Sequence, residues 1–367
     1  MDVAQILLLI FLSSSVTSIE FNNNGYNDLV ISIHPDVTDD NSSLIIENIQ
    51  EFIRSGSSKL FYATEGYAFI KSAIILLPST WDTSSELDTT SAYFYQDGDI
   101  RINLPNSVYK DTPYTQQPNG CMERGEYIHL TPNYISLMKN KSVEEFGPYQ
   151  NIFVHEWAKL RYGVFEEYGY PGDKQYPLFY YEEEFINGQT EFNLKPNFCT
   201  DVEIQGRRED IVQGGSCTFD DATNLPNANC VFLPRGDNSG IKSSMMAAPF
   251  LESTESFCHD YPSDLKHDIF KPTKQNAKCN YLPAWQIIKS NVDFQQENFK
   301  PMNTSVPPPE TTFTIYKPET GGRFVLTLDK SGSMDEKNRM TRLKQSTIKW
   351  INYELEEGNQ LGIVKFE

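Results

Sequence analysis

Of the six cysteines, Cys121, Cys199, Cys217, Cys230, Cys258 and Cys279, five fall between positions 199 and 279, and that crowding limits what this stretch can become. An even number without any CxxC pair argues for disulfides rather than a zinc cluster, given an oxidising compartment. The N-terminus points to one. Ile6 to Leu12 reads ILLLIFL and is followed by SSSVTS, with Val16 and Ser18 small enough for a cut after Ser18. The apolar run is far shorter than the ~20 residues that a membrane span requires. Residues 1–18 therefore read as a signal peptide, and the remainder as secreted or extracellular. Three sequons, at Asn41, Asn140 and Asn303, become glycosylation acceptors on that route. No later segment is long and apolar enough to cross a bilayer, so this stretch of chain by itself is not an ion channel. The cysteine-rich segment 199–279 reads as loop-heavy and stapled, with the pairing left open by the sequence.

Charge narrows the partners. The formal net charge of -19 disfavours nucleic acid, while a hydrophobic content of 39% is enough for a packed core. LVISIHP (Leu29 to Pro35) has strand character, and the stretch after it carries helical spacing through Ile45, Ile49, Phe52 and Ile53. SAIILLPSTW and the alternating AYFYQDGDIRINLP read as further strands. A helix is expected to open near Pro148, to carry Ile152, Phe153, Trp157 and Leu160, and to stop at Gly163. NFKPMNTSVPPPETT reads as an extended linker. The expected organisation is a mixed α/β domain over 19–295, a Pro-rich linker over 296–320 and a second α/β unit over 321–367.

The Pro148 helix carries VHEWAKLRYGVFEEYG. In an HExxH helix the two histidines share one face and reach one zinc, and the intervening glutamate activates the bound water. Here His155 and Glu156 fill the first two places, and Lys159 stands where the second histidine belongs. Gly163 turns the chain, and Glu166 and Glu167 follow, in position to supply a third ligand. To ligate, Lys159 must be neutral, and holding an amine of pKa ~10.4 neutral at about pH 7 costs about 4 to 5 kcal/mol. The expectation is a lost or weakened zinc site, with the Lys159 ammonium paired to Glu156 on its own helix face and to Glu166.

Downstream, RFVLTLDKSGSMDEKNRM places Asp329 at the end of the apolar strand Phe324 to Leu328, with Ser331 and Ser333 in the turn that follows. A helix near Glu336 to Leu355 and a strand LGIVKF complete a βαβ beginning. The DxSxS oxygens suit a hard divalent cation. The sequence ends at Glu367, so apolar strand surface is expected to stay open and metal to bind Asp329, Ser331 and Ser333 weakly.

Taken together, HEWAKLRYGVFEEY, the segment SSMMAAPFLESTESFC (Ser243 to Cys258) and FVLTLDKSGSM resemble the calcium-activated chloride channel regulator family over nearly the whole chain. The resemblance implies a zincin (metzincin-like) domain with a disulfide-rich segment, followed by the start of a doubly wound von Willebrand factor A domain. It implies His155 as first zinc ligand, Glu156 as general base, Glu166 in place of the family's aspartate as third ligand, and Met245 or Met246 as the methionine turn. Lys159 departs from the family histidine. It further implies Mg2+ or Mn2+ at Asp329, Ser331 and Ser333, and a calcium-activated chloride channel at the cell surface as partner of a complete A domain. The function expected is a secreted regulator of chloride conductance with a degenerate protease site. The alternatives are an active self-cleaving zinc metalloendopeptidase and a secreted mucus or matrix interaction protein.

Overall fold

Leu29–Ile33 reads LVISI and is buried at every position, as a strand covered on both faces must be. Its one polar side chain, Ser32, donates to the Tyr95 carbonyl at 2.8 Å. The computed structural model describes residues 19–82, 93–139, 146–186, 189–235, 238, 240–260, 264–317, 323–332, 334, 338–353, 355 and 360–366. The signal-peptide reading of 1–18, the sequon asparagine Asn140 and the A-domain residue Ser333 lie outside these described residues.

In chain order, β1 (Glu20–Asn22) and β2 (Gly25–Asn27) form a hairpin, and β3 is Leu29–Ile33. Helix α1 (Ser42–Ala63) follows, then β4 (Phe69–Ile70), which pairs with β2, and β5 (Ser72–Leu76). Next come β6 (Ile100–Ile102), β7 (Tyr114–Gln116), β8 (Tyr127–Leu130), α2 (Pro132–Leu137) and α3 (Tyr149–Trp157). The hairpins β9 (Phe179–Ile186) with β10 (Gln189–Pro196), and β11 (Gly206–Asp210) with β12 (Cys230–Pro234), occupy the cysteine-rich part. Short helices α4 (Lys274–Lys278) and α5 (Ala284–Lys289) precede β13 (Thr312–Tyr316). The last elements are β14 (Arg323–Asp329), α6 (Arg339–Tyr353) and β15 (Gln360–Phe366).

The main sheet runs β13-β5-β3-β6-β8-β7. Every pairing in it is parallel except the edge strand β7, which runs antiparallel to β8 with Thr115 opposite Ile128. Two expectations change here. The alternating segment read as a strand over 92–105 is a strand at Ile100–Ile102 and a 3-10 turn at Tyr95–Asp97, because the Asp97 carboxylate accepts the Phe94 N–H at 2.8 Å and bends the chain before β6. Within the stretch read as a linker over 296–320, Thr312–Tyr316 forms β13, in parallel register with Ser72–Leu76. Prolines crowd just before it, but the TFTIY run itself is β-branched and aromatic and suits an edge.

Helix α1 packs on α3 through Gly56, where an added Cβ would lie 2.3 Å from Phe153 Cγ. Pro148, with φ -60, opens α3, and the backbone widens into a π-helical turn at Ala158–Tyr162. Gly163 then ends the helix at φ 64, and a Cβ there would meet the Glu123 carbonyl oxygen at 2.4 Å. Burial extends along the whole helix from Asn151 to Leu160, so α3 runs through the core rather than along its surface. Arg161 anchors its far end by two hydrogen bonds of 2.7 and 2.6 Å to Asp293, which also accepts from the Tyr26 hydroxyl at 2.7 Å.

All six cysteines are paired, as Cys121–Cys279, Cys199–Cys258 and Cys217–Cys230. The second bond sits in a separate apolar cluster with Phe179, Phe198 and Leu265. At the C-terminal end, β14 and β15 pair in parallel, with Val325 69% and Ile363 50% exposed. Among the described residues, no helix is long and apolar enough to cross a membrane.

Two measurements probe this packing. Helix propensity alone would make Gly56→Ala stabilising by ~1 kcal/mol. Contact with the Phe153 ring reverses the sign, and chemical denaturation should show a net loss of ~1–3 kcal/mol. Removing the Cys121–Cys279 bond, which closes a sequence separation of 158, by double replacement with serine should lower stability by ~3–5 kcal/mol.

Candidate functional site

The side chains that α3 presents toward β7 and toward the segment after Gly163 form one buried set. His155, Glu156, Lys159 and Glu166 are each at most 7% exposed. The Lys159 Nζ lies 3.2 Å from Glu156 Oε2 and 2.8 Å from Glu166 Oε1. The sequence expectation for Lys159, an ion pair to both carboxylates, matches this geometry. Thr115 on the edge strand adds a third contact, with its Oγ1 2.6 Å from Glu156 Oε2. Lys274, at the start of α4, brings a second ammonium 3.7 Å from Glu166 Oε2.

Electrostatics follow from these distances. Burial by itself would lower the Lys159 ammonium, but the charges of Glu156 and then Glu166 overcome it and hold the group above the ordinary lysine value. Burial opposes the charged form of Glu166 as well, yet Lys159 and Lys274 hold its carboxyl well below the usual range. Around it, burial and next the Glu166 charge push the Tyr168 and Tyr170 phenols up, so both remain neutral. Burial pushes His155 down, toward the neutral imidazole. Its Nδ1 lies 2.7 Å from the Met245 carbonyl, an acceptor, so the ring hydrogen sits on Nδ1 and Nε2 carries the lone pair. Glu156 Oε1 stands 3.8 Å from that Nε2.

His155 and Glu156 also border a cleft of about 910 Å3, with Pro113, Ile152, Tyr168 and Phe250 among its walls. Met245 and Met246 are both fully buried below the helix, with the Met245 carbonyl fixing His155 and the Met246 carbonyl accepting from Glu167 N at 2.8 Å.

The donor set can be compared with what zinc requires. A catalytic zinc needs three converging neutral or anionic donors and an open fourth place. His155 offers one imidazole, and each of the two carboxylates is already paired with an ammonium, so two negative charges meet two positive ones. Among the described residues, the donor atoms of His155, Glu156 and Glu166 do not gather within 4.8 Å of one another. The group that does, Glu167 with Cys199 and Cys258, has its sulfurs joined in a disulfide. These residues do not fit a zinc ion.

At the second site, Asp329 ends β14 and its Oδ1 accepts the Ser331 N–H at 2.7 Å, which holds the carboxyl below its ordinary value. The structure brings Asp329 and Ser331 together, and Ser333 is outside the described residues. Sequon residues Asn41, at the N-terminus of α1, and Asn303, whose Oδ1 accepts from Ser305 N at 2.9 Å, are exposed. Thr115 and Lys274 had no sequence signal, since each reaches the site from a distant element.

Comparison with known proteins agrees with the motifs. The family description "Calcium-activated chloride channel N terminal" matches residues 19–303. The chain is 35% identical over 370 residues to calcium-activated chloride channel regulator 4 from Homo sapiens, covering 99% of this chain and 37% of that protein. It is 34% identical over 371 residues to regulator 1 from Equus caballus, with 99% and 37% covered. Regulator 1 from Homo sapiens shows 34% identity over 370 residues, with the same coverage. The chain thus spans little more than a third of the length of these relatives. No solved structure matches it. With the family description matching 19–303 and these relatives aligned over nearly its whole length, the chain belongs to the calcium-activated chloride channel regulator family.

Proposed function

We propose that this chain acts outside the cell as the N-terminal module of a chloride channel regulator, on a metzincin-like scaffold that has exchanged its zinc for the Lys159 ammonium. The observation that carries this reading is the pair of contacts from Lys159 Nζ, 3.2 Å to Glu156 and 2.8 Å to Glu166. A fixed positive charge stands among the groups that would otherwise attract a cation. Glu156, the general base of the zinc reaction, has its Oε2 engaged by Lys159 and Thr115. The module then works by binding rather than by peptide hydrolysis, and it modulates chloride conductance without being a channel.

Residues 1–18 serve as the signal for secretion in this reading, with glycans on Asn41, Asn140 and Asn303. The partner is a calcium-activated chloride channel at the cell surface. Engagement of that channel belongs to a complete von Willebrand factor A domain, whose Mg2+ or Mn2+ site begins with Asp329, Ser331 and Ser333. The relatives' names support the regulatory role, and the exposed Asn41 and Asn303 suit the glycans.

Elemental analysis of the purified protein tests the site. The parent should hold less than about a tenth of an equivalent of zinc, and Lys159→His should raise that toward about one equivalent. A full equivalent in the parent would overturn the proposal and favour an active metalloendopeptidase, whose self-cleavage Glu156→Gln would abolish. Lys159→Met strands the buried Glu156 carboxylate and leaves Glu166 with Lys274, 3.7 Å away, and urea denaturation should register a loss of ~3–5 kcal/mol. A near-neutral effect would mean that the ammonium does not compensate them.

A further inference from the structure

The two hairpins of the cysteine-rich part enclose a second cavity, of about 430 Å3, whose lining includes none of His155, Glu156, Lys159 and Glu166. Its floor is apolar. Phe179 on β9 is the cross-strand partner of Pro196 on β10, and Leu194 lies two residues along the same face. Phe232 on β12 meets Phe179 edge to face, with ring centroids 6.4 Å apart. Its ring lies over Gly206 of β11, where an added Cβ would come within 2.4 Å of Phe232 Cζ, so the missing side chain is what admits the ring. Phe219 completes the aromatic lining. The Cys217–Cys230 bond and a bridge from Phe219 to Pro226 hold its segment against β12, and the ring stays 44% exposed.

Charge on the rim is unequal. Arg207 is neutralised by Glu209, whose Oε2 accepts from Nε at 2.9 Å and stands 2.8 Å from Nη2. Glu203, also on the rim, has its Oε2 4.0 Å from Lys195 Nζ. Arg208 is different. It is exposed, lies opposite Phe232 in the β11–β12 register, and has its guanidinium carbon 5.9 Å from the Phe219 ring. Among the described residues no carboxylate is within ion-pair reach of it. In a chain of net charge -19 the cavity therefore keeps one unmatched positive charge beside aromatic rings.

We propose that this cavity binds a small amphiphilic monoanion, a carboxylate or sulfonate carried on an aromatic or aliphatic body. The body lies on Phe179, Phe232 and Leu194, and the anionic head meets the Arg208 guanidinium, whose planar fork matches such a group. One uncompensated cation selects one negative charge. The volume is that of a small-molecule site. The floor is set in advance by packing in the second apolar cluster and by a disulfide, so little ordering is required on binding. The site is independent of the exchange of zinc for Lys159.

Fluorescence titration of the full chain with anilinonaphthalene sulfonate, beside the uncharged phenylnaphthylamine, tests the site. The parent should bind the sulfonate more tightly than the neutral dye by roughly five- to tenfold. Arg208→Gln should remove that difference and leave the affinity for the neutral dye unchanged, while Arg208→Lys should keep part of it. Because Arg208 is exposed, both replacements leave the fold intact. Phe219→Ala should weaken both dyes. The cleft beside His155 has an arginine of its own, Arg235, and Arg235→Gln should have no effect. Absence of sulfonate binding, equal affinity of the parent for the two dyes, a preference that survives Arg208→Gln, or one that is lost with Arg235 instead, would overturn the proposal.

Discussion

A lysine ammonium enclosed by two carboxylates is the interaction on which the centre of this molecule depends. Lys159, Glu156 and Glu166 are all removed from water, and each would be costly there alone. Glu156 and Lys159 come from one buried helix, and Glu166 comes from the chain that returns after Gly163. The positive φ of that glycine and its close approach to the Glu123 carbonyl are thus part of the same electrostatic arrangement. The Arg161–Asp293 pair holds the far end of the helix, so α3 is tied to the rest of the fold by charge at both its cleft face and its end.

An ammonium and a zinc ion differ in what they offer a scaffold of this kind. Zinc is a Lewis acid with open coordination positions, while an ammonium is a saturated donor that fills its place. The Lys159 charge preserves the attraction that draws Glu156 and Glu166 together, yet provides no means of activating water. The apolar cleft beside His155 is lined without Lys159 or Glu166.

Much of this arrangement was legible in the sequence because local rules carry it. Pro148 and Gly163 bracket α3, the HExxK spacing puts Glu156 and Lys159 on one face, and Glu166 follows a turn whose length is fixed. The LVISI run, apolar but for Ser32, marks the central strand. What could not be read is what arrives from far along the chain. Thr115 and Lys274 join the site only once β7 and α4 pack. Disulfide partners are equally a product of the fold. Two local readings also gave way: Asp97 caps a turn inside an alternating pattern, and TFTIY joins the main sheet despite the prolines before it.

The bond between Cys121 and Cys279 encloses the other two disulfides within its span. It also encloses α3, the β9–β10 and β11–β12 hairpins and the exposed positions Phe185 and Phe192, which is where a protease would first find the backbone. A single cut there separates the polypeptide into two pieces without separating the molecule. Cleaved material travels, and is counted, as intact until its disulfides are reduced, so the integrity of this protein is a property of its crosslinks more than of its continuous backbone.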